Sequence, residues 1–307
     1  MSVSNYICID IGGTAIKHGL ARADGQLLVK GSVLNDVRQS GAAAMVRQVQ
    51  GLARHYLAGP AGPAIRGIAV STAGIVDAER GEITYAASHF PGYSGMKLRQ
   101  LLEEDCQLPC TVENDVNAAA LGEYWRGAGQ GASSLFCLTV GTGIGGAAVL
   151  DGCLIRGASG SAGEIGYLPV GGDGKTLEDQ ASVTALIRAV AAEKGLEPSR
   201  LDGRAILGLA RSGDRPAQAG LERMIRCLAQ GIASVCYLFN PQVVIVGGGI
   251  MEQAGYFKPR LEQAMAAVLL PFVYERTDLA FASLGNDAGM IGALYCHLQK
   301  ESMKEIE

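Results

Sequence analysis

Three glycine clusters interrupt the chain, each at the end of an apolar run. Gly12-Gly13-Thr14 follows residues 6–10. Gly141-Thr142-Gly143-Ile144-Gly145-Gly146 follows residues 135–140, and Gly247-Gly248-Gly249 follows residues 242–246. Successive backbone N–H groups in such turns make anion-binding nests, and glycine lets a ligand approach the main chain closely. One cluster alone would be an ordinary turn. Three, each at the carboxyl end of a buried strand, stand where α/β sheets bind ligands. Two other phosphate-binding patterns fail. Gly171-Gly172-Asp173-Gly174-Lys175-Thr176 resembles the end of a P-loop, but Pro169 stands where the pattern needs its first glycine and has no N–H to donate. Gly141-x-Gly143-x-x-Gly146 matches the dinucleotide fingerprint in letters only. That fingerprint needs a helix to open at the glycines, and residues 147–150 followed by Asp151-Gly152 read as a strand and a hairpin. Eight cysteines are scattered, several within apolar runs such as Ile7-Cys8-Ile9, and read as free buried thiols of a cytosolic protein. Cys106 and Cys110 have no second Cys/His pair nearby to complete a zinc site.

The elements that must carry these turns follow from periodicity. Residues 6–10 form a short strand, and a second extended run begins at Ala15. Asp24-Gly25 turns it into a third. Helices are expected over 42–56, 97–104 and 116–125, with strands at 66–71 and 110–113. From Ser134 the opening pattern returns: strand, glycine turn, strand, Asp-Gly hairpin, about 130 residues after its first appearance. That is a structural duplication. Helices over 177–192, 222–239, 259–268 and 288–299 complete an α/β chain, and the stretch 195–220 reads as loop with one short helical piece. At 307 residues, two lobes with a cleft between them are expected. A composition of 48% hydrophobic and 18% charged residues excludes a disordered chain. A net charge of −4 without a basic stripe excludes a nucleic-acid partner. No apolar run reaches about 18 residues, and the first residues carry no signal-peptide core, so no membrane association and a cytoplasmic location are expected.

The order of motifs resembles a known family. Asp10-Ile-Gly-Gly-Thr-Ala-Ile-Lys17 is similar to the first phosphate motif of the actin-like sugar kinases, residues 138–146 to the second, and Val246-Gly-Gly-Gly249 to the nucleoside-binding motif. Glu113-Asn-Asp-Val-Asn-Ala-Ala-Ala-Leu-Gly-Glu123 and Ala162-Gly-Glu-Ile-Gly166 narrow the resemblance to the ROK family (repressors, open reading frames, kinases) over nearly the whole chain. It implies a two-lobed actin-like, ribonuclease H-like fold with a duplicated βββαβα core. Residues 1–117 would form the first lobe, with the helix 288–307 packing back on it, and 118–287 the second.

The resemblance also implies roles. A sugar hydroxyl is a poor nucleophile, and a placed carboxylate takes its proton as the new bond forms. The matching residue is Asp115, which could also serve as a helix N-cap. Asn114, Glu164 and Glu178 match positions that hydrogen-bond sugar hydroxyls, and Gly74, His89 and Tyr167 lie on segments facing the sugar; His89 stands where an Asn is common. Asp10 would hold Mg²⁺ directly or through water. Gly12, Gly13, Thr14, Gly141, Thr142, Gly143 and Gly145 would meet the phosphates of ATP, and Gly247, Gly248 and Gly249 the adenosine. Lys17 is either a phosphate partner or a solvated strand lysine. Glu113 and Asn117 read as packing residues. The departure is zinc. Family members carry a His after Gly-Glu-Ile-Gly and then a three-cysteine cluster, but this chain has Tyr167 and no cysteine from Leu154 until Cys227. Zinc is not expected.

The activity implied is transfer of the ATP γ-phosphoryl group to O6 of a hexose or N-acetylhexosamine. Residues 71–77, 81–86 and Gly166-Tyr167 look most like zinc-free N-acetylmannosamine kinases, whereas Gly285-Asn-Asp-Ala-Gly289 is shared with β-glucoside kinases; glucokinase is a further alternative. A sugar sensor without turnover is disfavoured by Asp10, Asp115 and three intact glycine motifs. A repressor would need a helix-turn-helix domain ahead of Asp10. A homodimer is the family expectation.

Overall fold

The computed structural model describes residues 4–87, 90–171 and 174–304. Its strands are β1 (Asn5–Ile11), β2 (Ala15–Arg22), β3 (Leu27–Leu34), β4 (Ile65–Thr72), β5 (Ile75–Asp77), β6 (Glu82–Tyr85), β7 (Cys110–Asn114), β8 (Ser134–Val140), β9 (Ile144–Leu150), β10 (Cys153–Ile155), β11 (Val243–Gly247) and β12 (Asp278–Phe281). The helices are α1 (Val37–Ala58), α2 (Leu98–Cys106), α3 (Asp115–Arg126), α4 (Leu177–Ala181), α5 (Val183–Lys194), α6 (Gly203–Arg211), α7 (Arg215–Leu238), α8 (Ala254–Val268), α9 (Pro271–Tyr274) and α10 (Ala288–Lys304).

Two five-stranded sheets share one topology, β3-β2-β1-β4-β7 and β10-β9-β8-β11-β12. In each, three antiparallel strands are followed by two parallel ones. This is the duplicated core of the actin-like fold. The second hairpin shows why Asp-Gly was readable: Asp151 and Gly152 both have positive φ, as a type I′ turn demands. Among the described residues, no helix is long and apolar enough to cross a membrane.

The chain divides into two compact units: Met1–Gln130 with Arg156–Ser161 and Asn286–Glu307, and Gly131–Ile155 with Ala162–Gly285. The first boundary differs from the expected 117/118. Helix α3 stays with the first unit because it packs on α10 at backbone distance. A β-carbon on Gly122 would stand 2.5 Å from the Ala288 carbonyl oxygen, and one on Gly292 would overlap the Ala118 carbonyl oxygen. Glycine on both helices permits this crossing. Helix α10 also packs on β1, β4 and β7 of the same unit, and its Met290, Ala293 and Leu294 join Tyr6, Cys8 and Ala69 in one buried cluster. The opposite sheet face is covered by α1, whose Met45, Val46 and Val49 meet Ile7, Ile9, Ile68 and Val70.

In the second unit, α7 lies across the core with Leu221, Met224, Leu228, Ile232 and Val235 buried along one stripe. It is capped by Asp214, whose side chain accepts from the Ala217 N–H at 3.0 Å. Three expectations need correction. The single helix over 177–192 is two, α4 and α5, because Ser182 adopts an extended conformation and caps α5 by accepting from the Ala185 N–H at 3.1 Å. The loop-rich stretch 195–220 contains all of α6 and the start of α7. Pro259 does not open its helix but lies inside α8.

Candidate active site

In the first unit, parallel pairing aligns the carboxyl ends of three strands. Asp10 pairs with Ser71 and Ser71 with Glu113; one residue on, Ile11 pairs with Thr72 and Thr72 with Asn114. Ser71 donates its hydroxyl to Asp10 Oδ1 at 2.8 Å, and Lys17, opposite Asp10 on β2, reaches Oδ2 at 3.1 Å. Asp10 and Lys17 are therefore one ion pair, a third outcome beside the two expected for Lys17. The turn after β1 is closed by the Gly12 N–H donating to the Ala15 carbonyl at 3.0 Å and by Asn35 Nδ2 donating to the Gly12 carbonyl at 2.7 Å. Gly13 lies at the apex, and Thr14 is exposed.

The start of α3 is more tightly determined. Asn114 is its N-cap: Oδ1 accepts from the Val116 and Asn117 N–H groups at 2.9 and 3.0 Å. Its Nδ2 donates to the Gly74 carbonyl at 2.9 Å and to Asp115 Oδ1 at 3.0 Å. Asp115 is thus the first helical residue and not the cap, with Oδ1 also accepting from the Val116 N–H at 3.0 Å. All four hydrogen-bonding positions of the Asn114 amide are used, so a sugar hydroxyl would have to replace one of these bonds. Gly74 has φ of 105°, and a β-carbon there would stand 2.7 Å from the Tyr85 carbonyl oxygen. Only glycine fits this turn, and its carbonyl then faces Asn114. Beneath lies Tyr93, fully buried, sharing a 2.7 Å hydrogen bond with Thr72. Burial pushes the Tyr93 phenol up, the Thr72 bond offsets part of this, and the Asp115 charge adds to the rise. His89 lies outside the described residues.

In the second unit the turn after β8 is closed by the Gly141 N–H donating to the Gly143 carbonyl at 2.9 Å. It is tied to α5 by the Val183 N–H donating to the Gly141 carbonyl at 2.9 Å and the Thr184 hydroxyl to the Thr142 carbonyl at 2.7 Å. Gly145 is not in the turn: it lies within β9, paired with Thr139. Glu178 leans against the turn, its Oε2 accepting from the Ile144 N–H at 2.9 Å. A β-carbon on Gly143 would collide with that carboxylate. Glu164 follows Gly163, where a β-carbon would meet the backbone of Gly146 and Ala147. Although Glu164 stands at the surface, the protein around its carboxyl and the neighbouring Glu178 charge push its pKa up. Tyr167 is 70% exposed in the short turn that follows.

The three glycines after β11 divide their work. Gly247 is buried in the strand. Gly248 has φ of 110° and a β-carbon there would overlap the Val140 carbonyl. Gly249 alone meets open space, and it lines a cavity of about 460 Å³ with Val140, Gly141, Thr142, Ile187, Gly203 and Arg204 among its walls. Its size and mixed lining suit a nucleoside. For Mg²⁺ the fit is a single carboxylate. Mg²⁺ is commonly held by one or two carboxylates plus substrate phosphates, keeping several waters. Both Asp10 oxygens already have protein partners, which favours contact through water.

The segment that departs from the family pattern is held by hydrogen bonds. The Val170 N–H donates to the Lys175 carbonyl at 3.0 Å and the Leu177 N–H to the Leu168 carbonyl at 2.8 Å. Gln180, 8% exposed, donates to the Val170 carbonyl and accepts from Arg223, both at 2.7 Å. Thr176 and Asp179 form a capping box at the start of α4. Glu178 sits within this frame. Among the described residues, no group of three or more His, Cys, Asp or Glu side chains could hold a metal ion.

Sequence reasoning missed Ser71, Thr72, Tyr93, Gln180 and Arg223, and read Glu113 as packing. Each has a partner at least 21 residues away; Gln180 also bonds the nearer Val170, and Glu113 the nearer Asn114 and Asn117. The one local signal available was an acidic residue, Glu113, in a short strand just ahead of Asn114-Asp115.

Comparison with known proteins gives a consistent picture. A model described as the ROK family matches residues 6–300. An uncharacterised protein of Clostridium perfringens is 45% identical over 94% of this chain and 96% of its own length. A glucokinase of Halalkalibacterium halodurans is 31% identical over 99% of this chain and 98% of its own. Among solved structures, a candidate N-acetylmannosamine kinase from Listeria monocytogenes superposes with a TM-score of 0.85 at 29% identity, covering 97% of this chain and 99% of that one. A ROK glucokinase from Streptomyces griseus, in complex with glucose and AMPPNP, gives 0.79 at 28% identity, covering 96% and 100%.

Proposed function

The chain belongs to the ROK family, and from that premise we propose that it is a sugar kinase that transfers the γ-phosphoryl group of ATP to O6 of N-acetylmannosamine. The observation that carries the reading is the Asn114–Asp115 corner. A carboxylate held by two donors at a helix start, on a glycine turn only glycine can form, is a fixed base. Asp115 takes the O6 proton as the O6–phosphorus bond forms and the bond to ADP breaks. Such a base contributes about 10²–10⁴-fold. Mg²⁺ would supply charge neutralisation between the phosphates, with Asp10 as the residue to hold it through water.

The backbone turns at residues 12–14 and 141–143 are assigned to phosphate oxygens and the Gly249 cavity to adenosine, a reading supported by the size and lining of that cavity. The complex of the Streptomyces griseus relative with AMPPNP supports ATP as donor. Glu164 and Glu178 are assigned to sugar hydroxyls, each carboxylate able to accept two. The choice of N-acetylmannosamine rests on residues 71–77, 81–86 and Tyr167 and is supported by the Listeria monocytogenes neighbour. A cytoplasmic homodimer belongs to the same proposal.

Asp115→Asn tests the base. It keeps the size of the side chain and the hydrogen bonds to Oδ1 but cannot accept the O6 proton. Turnover should fall by at least about 10²-fold, while calorimetry still shows stoichiometric sugar binding. Wild-type-like turnover in that variant would remove Asp115 from its role.

A further inference from the structure

Glu113 carries a charge at 1% exposure, one residue ahead of the N-cap and two ahead of the proposed base. A buried carboxylate is costly unless every lone pair is engaged and an opposite charge faces it. Here both conditions hold. Oε1 accepts from the Asn114 N–H at 3.0 Å and from Asn117 Nδ2 at 3.0 Å. Oε2 is paired with Arg156 Nη2 and lies 3.7 Å from Cys296 Sγ. Burial pushes the Cys296 thiol up to about 11, and the Glu113 charge adds to this, so the sulfur keeps its proton and donates. One carboxylate therefore ties together the end of β7, the first turn of α3, helix α10 and Arg156.

Arg156 is itself committed. Its side chain is 37% exposed, and its Nε is buried with no hydrogen-bond partner among the described residues. It tolerates this because its neighbours compensate: burial lowers its pKa, and the Glu113 charge together with Cys296 and the hydrogen bonds to both raises it, so the net shift is upward. Arg156 opens the segment Arg156–Ser161, which clusters with the first unit although the chain on both sides belongs to the second.

We propose that Glu113, paired with Arg156, is the positioning residue of the phosphoryl-transfer site, fixing the Asn114–Asp115 corner through the Asn114 backbone and the Asn117 side chain. The inference rests on Asp115 being the base. Glu113 touches no substrate. Its carboxylate sets where the Asn114 main chain leaves β7, and Asn114 then fixes Asp115 Oδ1. Without it the first turn of α3 loses two of its restraints, and the base moves. A displacement of about 1 Å at such a site costs on the order of 10²-fold in rate.

The test is a double-variant cycle read by steady-state kinetics and by calorimetric sugar binding. Glu113→Gln keeps the shape and one acceptor but turns an N–H₂ or a neutral oxygen toward Arg156. It should lower kcat on the order of 10²-fold while sugar KM stays within about threefold and the binding stoichiometry stays that of the parent. Full stoichiometry excludes a loss of folded protein as the cause. Arg156→Gln should do the same, and it carries the test if Glu113→Gln gives no soluble protein. The double variant should be no worse than the poorer single, since the two side chains act as one unit. A kcat within twofold of the parent in both singles, or losses that simply multiply in the double, overturns the proposal. Asp115→Asn, run alongside, separates the two ideas. If it is active the base is misassigned; if it is dead and Glu113→Gln is fully active, only the positioning role falls.

Discussion

Helix α3, which begins at Asp115, crosses α10 at backbone distance, and the crossing can be tested by adding one methyl group. In Gly292→Ala the new β-carbon would overlap the Ala118 carbonyl oxygen and stand 2.7 Å from the Gly122 nitrogen. Both are main-chain atoms inside a helix and cannot rotate away, so the helices must separate. Overpacking of this kind costs about 1–3 kcal/mol, and a main-chain obstacle puts it at the upper end, about 3 kcal/mol. Alanine returns about 1 kcal/mol of helix propensity. The net loss is about 2 kcal/mol. At 2–4 °C per kcal/mol for a unit of this size, the midpoint should fall by about 4–8 °C in scanning calorimetry. Gly51→Ala is the control, because a β-carbon at that exposed helical position meets nothing within 4 Å among the described residues. It should gain about 0.5–1 kcal/mol and raise the midpoint. If Gly292→Ala unfolds at or above the parent temperature, the close crossing is wrong, and with it the reason α3 belongs to the first unit.

Two further expectations concern the second unit. Glu164 holds its proton more tightly folded than unfolded, because of burial and the neighbouring Glu178 charge. Its contribution is therefore fully present below the ordinary carboxyl value near 4.5 and is lost as pH rises through the higher folded value. Glu164→Gln should raise the melting temperature at pH 7.5 more than at pH 4.5, and lower kcat/KM for sugar; an equal shift at both pH values would contradict this. Dialysis against a chelator, followed by restoration of Mg²⁺ alone, should return full activity, since Gln180, Arg223 and the Thr176–Asp179 box already hold the segment before Glu178. Stoichiometric zinc in the purified protein, or activity that returns only with zinc, would overturn this.

What could be read from the sequence was local. The glycine turns, the Asp-Gly hairpin at 151–152 and the strands leading into them follow from patterns a few residues long, and they reveal the duplicated sheet. Boundaries were lost where apolar residues continue across a break. Ser182 has apolar neighbours on both sides, so α4 and α5 read as one helix until its extended backbone and its bond to Ala185 are seen. Strand β12 escaped notice because four residues at a sheet edge are specified by pairing with β11 and not by their own pattern. The same holds at the site. Asp10 and Asp115 could be picked out, but their orientation depends on Ser71, Gly74 and Asn114, brought together by parallel strands far apart in the chain. Asn114 shows the limit: its residue type suits a sugar contact, and its geometry uses every bond for the helix start and the Gly74 carbonyl.

The central claim is that this chain phosphorylates a sugar. A coupled ADP-release assay with MgATP tests it most directly, over N-acetylmannosamine, glucose, N-acetylglucosamine, mannose, fructose, allose and cellobiose. The account predicts sugar-dependent ADP release with N-acetylmannosamine preferred by about 10²-fold or more in kcat/KM, a margin equivalent to about 2.7 kcal/mol in the transition state. Preference for cellobiose or glucose would keep the kinase and replace the substrate. ADP release that no sugar raises above the rate with ATP alone would contradict the account.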